Sequence, residues 1–571
     1  MHDATIFVIL VLVSFLAFLV VHPFTMVGGD EGRFVQDALR IGRGEIPIAD
    51  YGTRAPILSF FINLSAELFG HSLFIFRLPV LLFSALTAGF IFLLGKELFS
   101  RNVGILASLV YASVPFTLWN NSVIKSEALS MLLTLIAALF LIRGLRNHAW
   151  RWFLLSGCAM GLAYIERHTI VVFMLTSALM VVWEAIGNQW SIDRRALRII
   201  VTHGMLIVLG VILGFLPIFS FIAYYNSDRA IEAWLSFVPI AVGASTKVVS
   251  YAGAVPTLYG FLRSWALSFV ENLAVQAGLL FIGFVFFLLA VIQLLLGQHT
   301  TLRRILMIGT VVIFFGSFAG HALNIYRMGT FRPGVFLALL LFSLPLFFIL
   351  LFYEIYQQRS RDFFLTQQNS IAFLCFWIGA HILAFSFYAP GYMRELIPQL
   401  SLAGGVLLGI FPWRRAEKIV VTVFFISLGG LFGVSVSWFS DPVTGWWWWQ
   451  KTITDTAAFL ESHTAPGEQV FAANALPVIL AERRTVADIT SYAMVFVKDP
   501  NERHGTFPSP HEMLMLLEKN QPRYTLVDGR MENHFFRTFP FFEEFVKNNY
   551  QKVATFGTGR RRDWTEVWEL K

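Results

Sequence analysis

Residues 27–70 read VGGDEGRFVQDALRIGRGEIPIADYGTRAPILSFFINLSAELFG, and the fold turns on how this stretch is understood. Gly28 and Gly29 permit a turn, and Asp30 is a good N-cap. From Glu31 to Arg43, Phe34, Ala38 and Ile41 fall on one stripe and Arg33, Asp37 and Arg40 on another. That is the pattern of an amphipathic helix lying in a membrane interface. After a turn at Tyr51–Gly52, Pro56 opens a second helix. Its apolar run to Phe69 carries Asn63 and Glu67, so it too is expected along the membrane rather than across it. The loop that holds both helices, residues 22–72, is long for a plain connection.

The segments around it are far more apolar. Of 571 residues, 56% are hydrophobic and 14% charged. Soluble domains carry about 25% charge, so the composition is that of a polytopic membrane protein and excludes a purely cytosolic or secreted enzyme. The excess of 43 Lys and Arg over 36 Asp and Glu gives a formal charge of +7. These cations sit in short clusters between apolar stretches, which indicates membrane topology rather than nucleic-acid affinity. Both cysteines, Cys158 and Cys375, lie inside apolar segments and make no disulfide framework.

Residues 4–21 carry no charge and no small-residue cleavage site follows them, so a retained anchor is expected. Further spans are expected at 73–94, 103–118, 128–142, 152–164, 169–183, 199–222, 273–296, 305–323, 334–352, 371–387, 396–411 and 419–439, thirteen with the first. Lys96/Arg101, Arg143/Arg146/Arg151, Arg194/Arg195/Arg198, Arg303/Arg304, Arg359/Arg361 and Arg414/Arg415/Lys418 then all fall on one side, the cytoplasmic one. Arg33, Arg40, Arg43, Arg54 and Arg77 fall on the other, so their charge serves something besides orientation.

An odd count puts residues 441–571 outside. There the charge is dispersed, and EQVFAAN, RRTVADIT and RYTLVDGR alternate with helical patterns such as HEMLMLLEK. The expected architecture is a membrane domain over residues 1–440, with its amphipathic helices at about 31–70, and a soluble extracytoplasmic α/β domain over 441–571. Four tryptophans in GWWWWQK mark the membrane exit, as an interfacial belt or a platform for sugar or lipid.

The chemistry-bearing residues gather on the outer face. Asp30 and Glu31 stand at the membrane surface, where an unpaired carboxylate is costly; Asp30 is either a cap or a reacting acid. Glu127, beside Lys125, opens an apolar helix, either as a favourable charge at its N-terminus or as a second acid. Arg33, Arg54, Arg394 and the pair Arg327/Arg332 can neutralise an anionic leaving group or hold lipid headgroups. Tyr51, at the turn, is a further candidate substrate contact. No nucleotide loop, zinc-protease motif, Cys pair or nucleophile elbow is present, so neither a cofactor nor a resident metal is expected.

The order of an apolar helix, the stretch quoted above and FIFRLPVLLFSAL (74–86) resembles the GT-C fold membrane glycosyltransferases, in the branch of protein O-mannosyltransferases and lipid A aminoarabinose transferases. KELFSRNVGILASLVYASVP (96–115), KSEALSMLLTLIAALF (125–140), GLAYIERHTIVVF (161–173) and GYMRELIPQLSLAGG (391–405) add to the likeness, which is good over the first 180 residues and looser beyond. The resemblance implies that Asp30 is the catalytic carboxylate, that Arg33 contacts lipid-linked phosphate, and that Glu127 is a second functional acid. Aminoarabinose-type relatives carry an acid, a Lys and a Pro where this chain has Thr53, Arg54, Ala55 and Pro56; the missing acid counts against a metal site of that kind.

The implied reaction moves one sugar from a polyprenyl-phosphate carrier to a hydroxyl of a glycan, lipid or protein acceptor, with inversion, at the outer face of the cell membrane. Two other classes compete. A flippase or transporter binds at midplane and often shows two similar halves, whereas the acids here lie at the surface and no repeat is visible. A structural or sensory protein would leave the work to its exported tail. Only a transferase consumes a lipid-linked sugar.

Overall fold

The computed structural model describes residues 2–22, 27–28, 31–45, 56–113, 117, 121–186, 194–225, 369–370, 373–374, 376–378, 380, 397–410, 447–448, 450–472, 474–486, 509–529, 531–557 and 564–571. In the membrane part these form α1 (Asp3–Val21), a short strand β1 (Val27–Gly28), α2 (Glu31–Gly42), α3 (Pro56–Phe69), α4 (Leu73–Leu98), α5 (Arg101–Ser113), α6 (Glu127–Asn147), α7 (Trp150–Glu166), α8 (Val171–Ile186), α9 (Arg194–Tyr225) and α10 (Ile397–Ile410). Toward the C-terminus follow β2 (Trp447–Trp448), α11 (Gln450–His463), β3 (Gln469–Ala472), α12 (Leu476–Leu480), β4 (Arg484–Thr485), α13 (Pro510–Asn520), β5 (Tyr524–Asp528), α14 (Pro540–Asn549), β6 (Tyr550–Gly557) and β7 (Trp564–Leu570).

Each long helix follows an apolar run. Among the described residues four helices are long and apolar enough to cross a membrane: α1, α4, α6 and the 196–217 stretch of α9. The expected spans at 273–296, 305–323, 334–352 and 419–439 lie outside the described residues. Phe18, Ile91, Tyr111, Leu135, Phe153, Phe173 and Trp377 form the shared core of the bundle. At one end Asp3 meets Lys96 at 2.5 Å and Arg101 at 3.3 Å, so the start of α1, the end of α4 and the start of α5 sit together, as the basic-loop pattern requires. Helices α7 and α9 approach through Gly157, Gly161, Gly210 and Gly214, where a Cβ would meet a backbone carbonyl of the other helix.

The three alternating runs near the C-terminus are strands β3, β4 and β5. They join one five-stranded sheet of order β4-β3-β5-β7-β6, with β4, β3 and β5 parallel and the β7–β6 hairpin joined to β5 through antiparallel β7. A capping box at Ser509 and Glu512 starts α13. Phe471, Met513, Phe535, Phe542 and Tyr550 pack one face of the sheet, and Leu460, Val470, Val478, Leu526 and Val567 the other.

The segment between α1 and α4 departs from expectation in helix α2. On α3, Leu58, Ile62 and Ala66 face inward while Phe60, Phe61, Leu64 and Leu68 are exposed, an apolar outer stripe open to lipid or to another partner. Helix α2 is buried on both faces from Glu31 to Ala38. Phe34, Val35 and Ala38 pack with Leu58 and Ile62 of α3, and also with Ile453, Leu476 and Ile479 of the C-terminal part. The polar face that an interfacial helix would give to water is covered, because its charged groups find partners in the protein.

Candidate active site

The site is built around the N-terminus of α2. Glu31, its first residue, turns into the bundle and meets Arg77 of α4 in a two-pronged contact: Nε and Nη2 of Arg77 donate to Oε2 and Oε1, both at 2.8 Å. Neither side chain is more than 1% exposed. The amide of Ile124 adds a third bond to Glu31 Oε2 at 3.0 Å. A fork of this kind strengthens each hydrogen bond through charge and fixes their direction. The carboxylate expected to contact substrate is thereby held in a fixed place. Arg77 is one of the cations that the basic-loop pattern does not use.

The segment 121–126 laces this centre to its neighbours. Asn121 Nδ2 donates to Tyr111 Oη at 2.7 Å, and Ser122 Oγ donates to the Phe18 carbonyl at 3.3 Å. Helix α6 then begins at Glu127, whose Oε2 lies 3.2 Å from Arg167 Nη1; the same guanidinium donates to Ser126 Oγ at 3.1 Å. Arg33 and Lys125 are buried to within a tenth of their surface and engaged with protein groups. Beside them Glu166, at the end of α7, accepts from the Leu58 amide at 3.2 Å and caps α3. Its other oxygen, Oε1, is buried with no hydrogen-bond partner among the described residues. His22, just past α1, is pulled down to about 4 by burial and then by the Arg77 charge, so it stays neutral there.

Of the residues expected from the sequence, the structure thus brings Glu31, Arg33, Lys125 and Glu127 into one region. Asp30, Tyr51, Arg54 and Arg394 lie outside the described residues. Arg77, Glu166 and Arg167 were not expected at the site. Their signal was in plain view: Glu166 and Arg167 interrupt two apolar runs, and charge at such a place must be paired. Arg40 and Arg43, also on the loop, both reach Glu45, at 2.6 and 2.9 Å. Among the described residues no three His, Cys, Asp or Glu side chains converge as a metal set.

The loop is held from the C-terminal side as well. β1 pairs antiparallel with β2, Val27 opposite Trp448 and Gly28 opposite Trp447. Gln450 Nε2 donates to the His22 carbonyl at 2.7 Å, and Gln36 Nε2 to Thr485 Oγ1 at 2.9 Å. Residues on both sides of position 30 are therefore tied down.

Residues 53–218 match the family described as Dolichyl-phosphate-mannose-protein mannosyltransferase. Among solved structures the chain is similar to ArnT from Cupriavidus metallidurans bound to undecaprenyl phosphate, at 13% identity and a TM-score of 0.54 over 98% of this chain and 97% of that one. It also resembles the Archaeoglobus fulgidus oligosaccharyltransferase tethered to an acceptor peptide, at 12% identity and a TM-score of 0.48 over 100% of this chain and 74% of that one. No curated protein matches. The first likeness shows the fold, and with the family match it bears out the resemblance to GT-C fold membrane glycosyltransferases read from the sequence.

Proposed function

We propose that this chain is an integral-membrane glycosyltransferase that moves one sugar from a polyprenyl-phosphate carrier to an acceptor hydroxyl at the extracytoplasmic face, inverting the anomeric carbon. The observation that carries the reading is the anchoring of the acid-bearing loop: the buried Glu31–Arg77 fork follows position 30, and the β1–β2 pair precedes it. Catalysis of this kind rests on positioning, and an acid next to a rigid ion pair keeps its place. The undecaprenyl phosphate named for ArnT supports a lipid-linked donor.

In this reading Asp30 takes the proton from the acceptor hydroxyl as its oxygen forms the new bond to the anomeric carbon. The sugar–phosphate bond breaks and its electrons leave with the polyprenyl phosphate. Arg33, Arg54, Lys125 and Arg394 offset that charge, Tyr51 lines the site, and Glu127 with Arg167 holds the sugar side. Residues 441–571 and the site share the outer side of the cell membrane. Purified protein given a radiolabelled polyprenyl-phosphate sugar consumes it, and Asp30→Asn loses about 10²–10⁴-fold of the rate because the amide caps the helix and cannot accept the proton. Retention of more than roughly a tenth of the rate refutes Asp30 as the base.

A further inference from the structure

In the C-terminal sheet the chain leaves β3 for β4 on one side, then crosses to β5 on the other, the strand order of a doubly wound sheet. Such sheets hold their ligands outside the carboxyl ends of the parallel strands. Here that edge is occupied by α2 of the membrane part. Gly32 lies against the end of β3: a Cβ on it would stand 2.9 Å from Asn474 Oδ1 and 3.0 Å from the Leu476 amide nitrogen. One turn on, Gln36 reaches Thr485 at the end of β4.

The polar groups of this contact are only partly spent. Asn474 Oδ1 accepts from the Leu476 amide at 3.1 Å, while Asn474 Nδ2 and Gln36 Oε1 are both buried with no hydrogen-bond partner among the described residues. Buried donors and acceptors of this kind are costly and rare. A surface evolved only to seal two domains together would use apolar side chains, as Val35 and Leu476 do nearby. At this edge one directional bond, Gln36 to Thr485, stands beside a close steric approach of Gly32 to Asn474 and Leu476.

We propose that the C-terminal domain is a positioning element of the transfer site: the carboxyl edge of its parallel strands holds α2, and with it the acid-bearing start of that helix, with Asn474 and Thr485 as positioning residues. The inference rests on the transferase reading for its kinetic consequence and on geometry alone for the grip. It assigns the domain a part in the reaction apart from any acceptor it meets.

Two substitutions loosen the grip without touching the charged centre. Gly32→Ala drives a methyl against the backbone nitrogen of Leu476, and Thr485→Val removes the acceptor of Gln36 at nearly constant shape. In each full-length variant kcat falls tenfold or more while KM for the lipid-linked sugar stays within about twofold, since a 1 Å displacement of a reacting group costs about 10²-fold. Thr485→Ser, which keeps the hydroxyl, restores the rate. Amide exchange over residues 31–38 speeds up, and exchange in α4 and α6 does not. Wild-type kcat in both variants overturns the proposal, as does a loss that follows only the amount of folded protein. If the wild-type chain consumes no lipid-linked sugar, the transferase reading falls by itself, and the exchange measurement still decides the grip: unchanged protection of residues 31–38 in both variants refutes it.

Discussion

Helices α2 and α3 lie in the same segment between α1 and α4 and carry the same kind of pattern, an apolar stripe beside a polar one, yet they meet opposite surroundings. α3 shows Leu64 and Leu68 to the outside at 53% and 64% exposure, whereas Glu31 of α2 is fully buried. The difference lies in what covers the polar stripe. α3 has only Asn63 and Glu67 there, turned toward Gly42 of α2. The polar groups of α2 include Glu31 and Gln36, and each has a partner brought from far along the chain, Arg77 and Thr485. An amphipathic pattern thus says that a helix has two faces and leaves open whether the second face meets water, lipid or protein.

The largest expected effect separates the two helices at Glu31. Glu31→Gln removes the carboxylate that faces the buried Arg77 guanidinium and costs about 3–5 kcal/mol, measured as lowered thermal stability in detergent. Adding Arg77→Met recovers much of the loss, because the buried guanidinium is removed along with the carboxylate it faced, and the carboxamide introduced on α2 still accepts from the Ile124 amide; failure of the double variant to exceed the single one contradicts the pairing.

A smaller effect is expected within α3. Ile62→Ala on its covered face costs about 2–5 kcal/mol, while Leu64→Ala on its exposed face changes stability by about 0.5 kcal/mol or less. A nitroxide on Leu64→Cys, with Cys158 and Cys375 replaced, collides with oxygen more than with a water-soluble nickel chelate. One on Gln36→Cys is shielded from both. Equal accessibility at the two positions removes the distinction between the helices.

The smallest effect belongs to the outer surface of the C-terminal sheet. There Glu569 accepts from Arg523 Nε and Nη2 at 3.0 and 2.9 Å and from Tyr524 Oη at 3.0 Å. The Arg523 hydrogen bond, then that of Tyr524, holds the Glu569 carboxyl below its ordinary range. A carboxyl depressed on folding adds stability that is complete above the ordinary glutamate value of about 4.3 and is lost as pH falls through the lower folded value. Because the pair is half in water, the gain is slight. Carboxyl carbon shifts place the Glu569 midpoint below that of an unpaired glutamate, and Arg523→Ala raises it; an unmoved midpoint disproves the pairing.

Much of the scaffold was legible in order along the chain. The apolar runs gave α1, α4, α6 and α7 because a run of that length has nowhere to go except a membrane or a core. Pro56 and Phe69 bound α3 as read, since proline suits a first helical turn. The alternating runs near the C-terminus became β3, β4 and β5, with β3 and β5 buried on both sides because side chains pack each face of the sheet. The type of each residue around the candidate site was legible too: Glu127 and Lys125 stand where an apolar helix begins, and charge there needs a partner.

What the one-dimensional order withheld was which partner. Glu31, expected at the substrate, accepts from Arg77, 46 positions on. Gln36 is bound by Thr485, 449 positions away. Helix and strand patterns arise from neighbours within a few residues, so local periodicity reports them. Pairing of a buried charge and the covering of a polar face depend on loops closing over long separations, and no spacing in the sequence records where those loops return. Composition thus set the solvent, periodicity the elements and residue type the available chemistry, while tertiary packing alone decided that the first loop is held between α4 and the C-terminal sheet.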